Sequence, residues 1–208
     1  TYLSCYNDET EASRKRLFMR QIKAYKDTLI AISDPNTASY VTNQCGRLGL
    51  QGKWDEAIRI LTGYYEHCTD TNPDKARVEY LLAELYLGKR DVQLAKHYLI
   101  RASITDITNA KKVYMSLQQL AILLFQEGDI ERAYNYISCS LEDVNFGKAR
   151  YRIVDIAEYL PIIKAANDSR VKADRDRVLF FLLVLSILVI TLIIAFFVLR
   201  QKNRKLLR

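Results

Sequence analysis

The residues best suited to chemistry are two histidines, His67 and His97, and four cysteines at positions 5, 45, 68 and 139. A structural or catalytic metal needs such ligands at short, characteristic spacings. No two of these cysteines form a CxxC pair, and neither histidine has a Cys or His at ligand spacing. Both histidines are read as solvated surface residues, and Cys45 as a small packing residue. Cys5 has no apolar run before it, so lipid attachment is not expected there. Whether Cys68 or Cys139 joins a disulfide is left open. The sequence shows no glycine-rich phosphate loop, no nucleophile elbow and no interpretable pair of catalytic carboxylates. We therefore read the chain as a non-enzyme with no cofactor, whose function is binding.

The elements that would position a binding site are internal repeats. Ala57, Ala95 and Ala133 sit 38 residues apart, within the stretches Gly52–Leu61, Arg90–Leu99 and Gly128–Ile137. Twelve residues before each lies another small residue: Cys45, Ala83, Ala121. Nine before lies a large one (Leu48, Tyr86, Leu124), and four after lies Leu61, Leu99 or Ile137. This is the tetratricopeptide-repeat (TPR) pattern. Small residues let helices A and B of a hairpin approach closely, and large ones fill the groove between successive hairpins. The unit is about four residues longer than the usual ~34. Gly46 and Gly49 fall inside the first helix A and are expected to weaken it.

Upstream, Ala12–Ile32 carries Phe18, Ile22, Tyr25, Leu29 and Ile32 at alternating four- and three-residue steps, an amphipathic stripe. Ser33-Asp34-Pro35-Asn36 ends that helix. Arg14-Lys15-Arg16 is read as a solvated face. Downstream, Ala149–Leu160 repeats the helix-A register with Ile153, Ile156, Ala157 and Leu160, and Pro161 is expected to interrupt it. Cys45, Ala57, Ala83, Ala95, Ala121, Ala133 and Ala157 are the expected packing positions.

A TPR solenoid presents a concave surface lined by helix A. Positions six and three before the small helix-A residue, and one and four after it, should face that groove. They select Arg77, Tyr80, Glu84, Gln118, Phe125 and Tyr151 as candidate ligand-binding residues, a mixture of charge, amide and aromatic that suits a polar ligand.

Half of the 208 residues are hydrophobic and 26% are charged, which excludes a disordered chain. Four cysteines are too few for a disulfide-built scaffold. A net charge of +7 invites a nucleic-acid reading. Its distribution does not support one. Residues 170–208 hold nine Lys or Arg and two acids, which leaves 22 bases against 22 acids in the body. The basic excess flanks Val178–Leu199, 22 residues without a charge. As a helix this run is about 33 Å long, enough for a hydrocarbon core of about 30 Å. Ser186 and Thr191 can bond back to their own helix. The lips carry Arg175 and Arg177 on one side, and Arg200, Lys202, Arg204 and Lys205 on the other. Lys and Arg counts do not decide orientation, but the acid-free C-terminal flank favours a cytoplasmic C-terminus facing anionic lipid.

The fold class read from these patterns is all-α: a TPR-like helical-hairpin solenoid followed by a stalk and a single transmembrane helix. The divisions are 1–36 (N-terminal amphipathic helix, a partial repeat), 37–161 (solenoid), 162–177 (juxtamembrane stalk), 178–199 (membrane helix) and 200–208 (basic cytoplasmic flank).

The stretch Leu120–Ile137, continued by Ser140–Asp143, Asn145-Phe146, Ala149-Arg150 and Leu160–Ile163 before a single hydrophobic helix, resembles a family of membrane-spanning TPR regulators of the Bacteroidetes. The similarity covers roughly residues 15–208 and is strongest over 116–163. It implies an inner-membrane, single-pass protein with a periplasmic TPR domain. In longer members a cytoplasmic coiled coil and a helix-turn-helix follow, linked to control of polysaccharide-utilisation genes. No nucleic acid is expected to contact residues 1–208, and homodimerisation would be expected through that coiled coil. The expected function is to sense a peptide, protein or glycan cue and relay it across the membrane. A tail-anchored cytoplasmic TPR adaptor and the sensor half of a TPR histidine kinase are the alternatives.

Overall fold

The computed structural model describes residues 12–69, 72–109, 115–146 and 150–206. Cys5 lies outside them. All regular structure among the described residues is helical: α1 (Ala12–Ile32), α2 (Ala38–Leu50), α3 (Trp54–Glu66), α4 (Lys75–Gly88), α5 (Val92–Thr108), α6 (Met115–Gln126), α7 (Ile130–Phe146) and α8 (Arg150–Leu206). The chain divides between Ile163 and Lys164 into two compact units, and α8 contributes to both.

In the first unit, α2–α3, α4–α5 and α6–α7 are the three hairpins that the 38-residue spacing predicts. Their turns have one geometry. Gly52, Arg90 and Gly128 all take positive φ, at 75°, 63° and 86°. The next residue's N–H then bonds back to the large repeat residue: Lys53 to Leu48 O at 3.0 Å, Asp91 to Tyr86 O at 2.9 Å, Asp129 to Leu124 O at 2.9 Å. This reverse bond closes each helix A with a left-handed cap, a conformation that glycine adopts freely and arginine does not. Asp91 and Asp129 then cap the following helix B, accepting from the N–H of Leu94 and Arg132, each at 3.1 Å. Thr37 does the same for α2 through the Tyr40 N–H at 3.3 Å.

Packing follows the small-and-large register. Cys45, Ala57, Ala83, Ala95, Ala121 and Ala133 are fully buried. One core cluster joins Val41, Cys45, Leu48, Ala57, Leu61, Val78, Leu82 and Leu85. A second joins Ala83, Leu99, Leu120, Ala121, Leu124, Ala133, Ile137, Ile156 and Ile163. Tyr98 packs against both, so the hairpins share a continuous core.

Three expectations need correction. Ala157 is exposed, and Ile156 is the buried residue beside it. A small helix-A residue is normally covered by its own helix B, but α8 runs on instead of turning back. Pro161 does not interrupt the helix. It removes one N–H and crowds one carbonyl, at a cost of about 3 kcal/mol. Burial of Ile156 and Ile163 on either side of it holds the helix together. Finally, the α1 stripe splits. Ile22 is buried and Phe18 half-buried, whereas Leu17, Tyr25 and Leu29 are exposed, and Ile32 is 74% exposed. Among the described helices α1 packs chiefly on α2, which covers only a narrow strip of it.

The second unit is the remainder of α8. Its apolar part has a mean hydropathy of 3.3 and none of it is buried against protein. The helix is long and apolar enough to cross a membrane. Ser186 and Thr191 donate to the carbonyls of Leu183 and Leu188 at 2.7 and 2.8 Å, so their hydroxyls are satisfied within the helix.

Candidate functional site

Helix α4 presents Arg77, Tyr80 and Glu84 at steps of three and four residues, hence on one face. Arg77 is exposed; Tyr80 and Glu84 are half-buried. The Tyr80 hydroxyl donates to the Glu84 carboxylate, and the Lys26 ammonium of α1 attracts it. Burial nevertheless dominates and pushes the Glu84 carboxyl above its ordinary value. Burial likewise pulls the Lys26 ammonium down; Glu84 opposes that shift and Arg77 adds to it. The Lys26 side chain lies against Gly46 of α2, where an added Cβ would sit 2.6 Å from its Nζ and displace the flexible arm. Gly46 therefore makes room for a neighbour, beyond its propensity cost to α2. Gly49 acts similarly, with a Leu85 methyl at 2.9 Å and the Trp54 ring at 3.2 Å from a would-be Cβ.

Arg77 and Tyr80 also line a cavity of about 280 Å³ between α4 and the start of α6. Asp106 of α5 and Ser116 of α6 close it, with the Ser116 hydroxyl donating to Asp106 at 3.2 Å. The cavity thus joins a guanidinium, a phenol, two carboxylates (Asp74 and Asp106) and a hydroxyl. This set can hydrogen-bond a polar ligand and offers an aromatic ring to its apolar edge.

The remaining candidates are placed differently. Gln118 is only 8% exposed, so it is buried rather than presented. Phe125 packs on the second core cluster. The Tyr151 side chain lies outside the described residues, and the register that selected it used the exposed Ala157. Arg175, Arg177 and Arg200 are exposed on α8, while the side chains of Lys202, Arg204 and Lys205 are not among those described. His67 and His97 are exposed. Among the described residues no group of three or more His, Cys, Asp or Glu could hold a metal.

Sequence reasoning missed Lys26, Asp106 and Ser116. Only Lys26 had a signal. Gly46 stands 38 residues before Glu84, at the same register position. A glycine at a groove position marks a place where another side chain can lie.

The opposite side of α4 is structural. Glu79 is fully buried and accepts from the Tyr65 hydroxyl at 2.8 Å, the Thr105 hydroxyl at 2.7 Å and the Arg101 Nε at 3.3 Å. Lys75 and Arg101 each lie 5.8 Å from the Tyr65 ring centre. Tyr98 meets Tyr65 edge-on and stacks on Tyr86 at 5.6 Å. This network ties α3, α4 and α5 together and holds the Arg77–Tyr80–Glu84 face in place.

A family model described as the SusR N-terminal TPR domain matches residues 1–158. The chain belongs to the SusR TPR family. SusR is a Bacteroidetes regulator family. A TPR domain of SusR type points to a protein-binding or sensor role, and TPR repeats in general are non-catalytic interaction modules. No curated protein matches the chain. A solved structure of a Podosopora anserina putative kinesin light chain with nearly identical TPR-like repeats is 11% identical, with a TM-score of 0.43 over 80% of this chain and 94% of that one. A variant of the same Podosopora anserina protein gives the same identity and TM-score over 81% and 95%. The TPR assignment of this SusR-type domain rests on the family and on its own three hairpins.

Proposed function

We propose that this chain is the sensor and membrane-spanning part of a SusR-type regulator. The TPR domain binds a peptide, protein or glycan cue, and α8 carries the change across the inner membrane toward control of nutrient use. The domain is periplasmic, residues 178–199 span the bilayer, and the basic flank after Leu199 is cytoplasmic. The observation that carries this reading is the cavity in which Arg77 and Tyr80 meet Asp106 and Ser116, with Glu84 on the same face of α4. Cation, anion and aromatic groups converge there at the helix-A register that a TPR domain uses for its ligands.

Two measurements test it. Arg77→Ala, at an exposed position, should weaken the transcriptional response to the inducing cue and leave the thermal unfolding midpoint nearly unchanged. An unaltered response would remove the cavity from the site. Protease added to intact spheroplasts should digest the TPR domain. Protection would reverse the topology and favour a cytoplasmic adaptor.

A further inference from the structure

A second cavity, of about 350 Å³, lies between α1 and the C-terminal end of α2. Four of its seven lining residues carry a cation on a largely apolar wall. Arg16, Arg20 and Lys23 come from one face of α1 and Arg47 from α2, with no carboxylate among the lining residues. Met19 and Leu50 supply apolar walls. Arg16 is exposed, in keeping with the solvated face expected for it, and also lines this cavity. Arg47 is only partly satisfied: its Nη1 bonds Asp27 at 3.1 Å, while its Nε is buried without a hydrogen-bond partner. Like charges gathered around one concavity repel each other, and an unpaired buried N–H adds a further cost. A bound anion relieves the repulsion. Arg16 to Lys23 spans about 10 Å along the helix axis.

We propose that this cavity is a binding site for a small polyvalent oxyanion, with two or more phosphate, sulfate or carboxylate groups spread over that length. Planar guanidinium forks favour such groups because they bind them bidentately. The site is separate from the Arg77–Tyr80 cavity and does not depend on what binds there.

The test uses the full chain in zwitterionic phosphatidylcholine nanodiscs, by calorimetric titration at physiological salt. The probes are inorganic pyrophosphate, a disulfated disaccharide and citrate. At least one should bind with one-to-one stoichiometry, and their ranking tells which oxyanion the site prefers. Arg20→Gln with Lys23→Gln should weaken binding about tenfold or more, and the single rim variant Arg16→Gln about threefold. Arg77→Ala should leave binding unchanged, as should Arg204→Gln with Lys205→Gln, which removes charge from the membrane lip. The proposal is overturned by failure of all three probes to bind, by unchanged binding in the Arg20/Lys23 and Arg16 variants, or by loss in the lip variant alone.

Discussion

Replacing Glu79 by alanine is the sharpest test of how α4 is held. The carboxylate is completely buried, and three donors from α3 and α5 converge on it. Each hydroxyl bond to the charged group contributes about 1.5–3 kcal/mol. Arg101 is 45% exposed, so its ion pair is screened and adds at most about 1 kcal/mol. Glu79→Ala strands the Tyr65 and Thr105 hydroxyls, both partly able to reach water, and opens a void. The expected loss is about 3–5 kcal/mol. For a domain of this size that lowers the melting midpoint by roughly 6–20 °C. Tyr65→Phe removes one donor and should cost about 1.5–3 kcal/mol. A double-mutant cycle of Tyr65→Phe with Glu79→Gln should show coupling of at least about 1 kcal/mol.

Trp54 is the only tryptophan, so its fluorescence follows the unfolding of this region. The phenol adds a pH signature. Burial first, then its bond to Glu79, pushes Tyr65 up to about 12 from an ordinary 10.0. A raised value stabilises fully below pH 10 and is lost as pH climbs toward 12. The advantage of the native protein over Tyr65→Phe should therefore shrink across that window. A Glu79→Ala variant within about 1 kcal/mol of the native protein, or a flat pH difference for Tyr65→Phe, would refute this account.

Three more outcomes are expected. Gly88→Ala places a Cβ 2.6 Å from the Trp54 ring, so overpacking of about 1–3 kcal/mol should outweigh a helix-propensity gain of about 1 kcal/mol, with a shifted Trp54 emission. Arg90→Gly should raise the melting midpoint by a few degrees, because it relieves about 1 kcal/mol of left-handed strain at φ 63°. Lys26→Met removes a cation that favours ionised Glu84, so the Glu84 carboxyl should titrate higher still by carbon NMR. Stability should then fall over a wider range as pH rises above the ordinary carboxyl value of 4.5, since the raised group is most favourable when protonated.

Much of the fold was legible. Local rules decide where α1 ends and which alanines are buried in the hairpins. The register also put Arg77, Tyr80 and Glu84 on one face. It failed at Gln118, which is buried with Ser116 and Leu117 in the first turn of α6, and at Ala157, where the hairpin is not completed.

By itself, the sequence determined the helical repeat, its 38-residue period, the neutral body and the apolar run of α8. These follow from spacing and composition, which need no partner to be read. Tertiary structure alone decided that Lys26 lies against Gly46 within the field of Glu84, that Asp106 and Ser116 close a cavity on Arg77, and that Arg16 and Arg47 line one cavity. Each joins helices with no fixed sequence spacing between them, and its electrostatics depend on how much water the packed helices exclude.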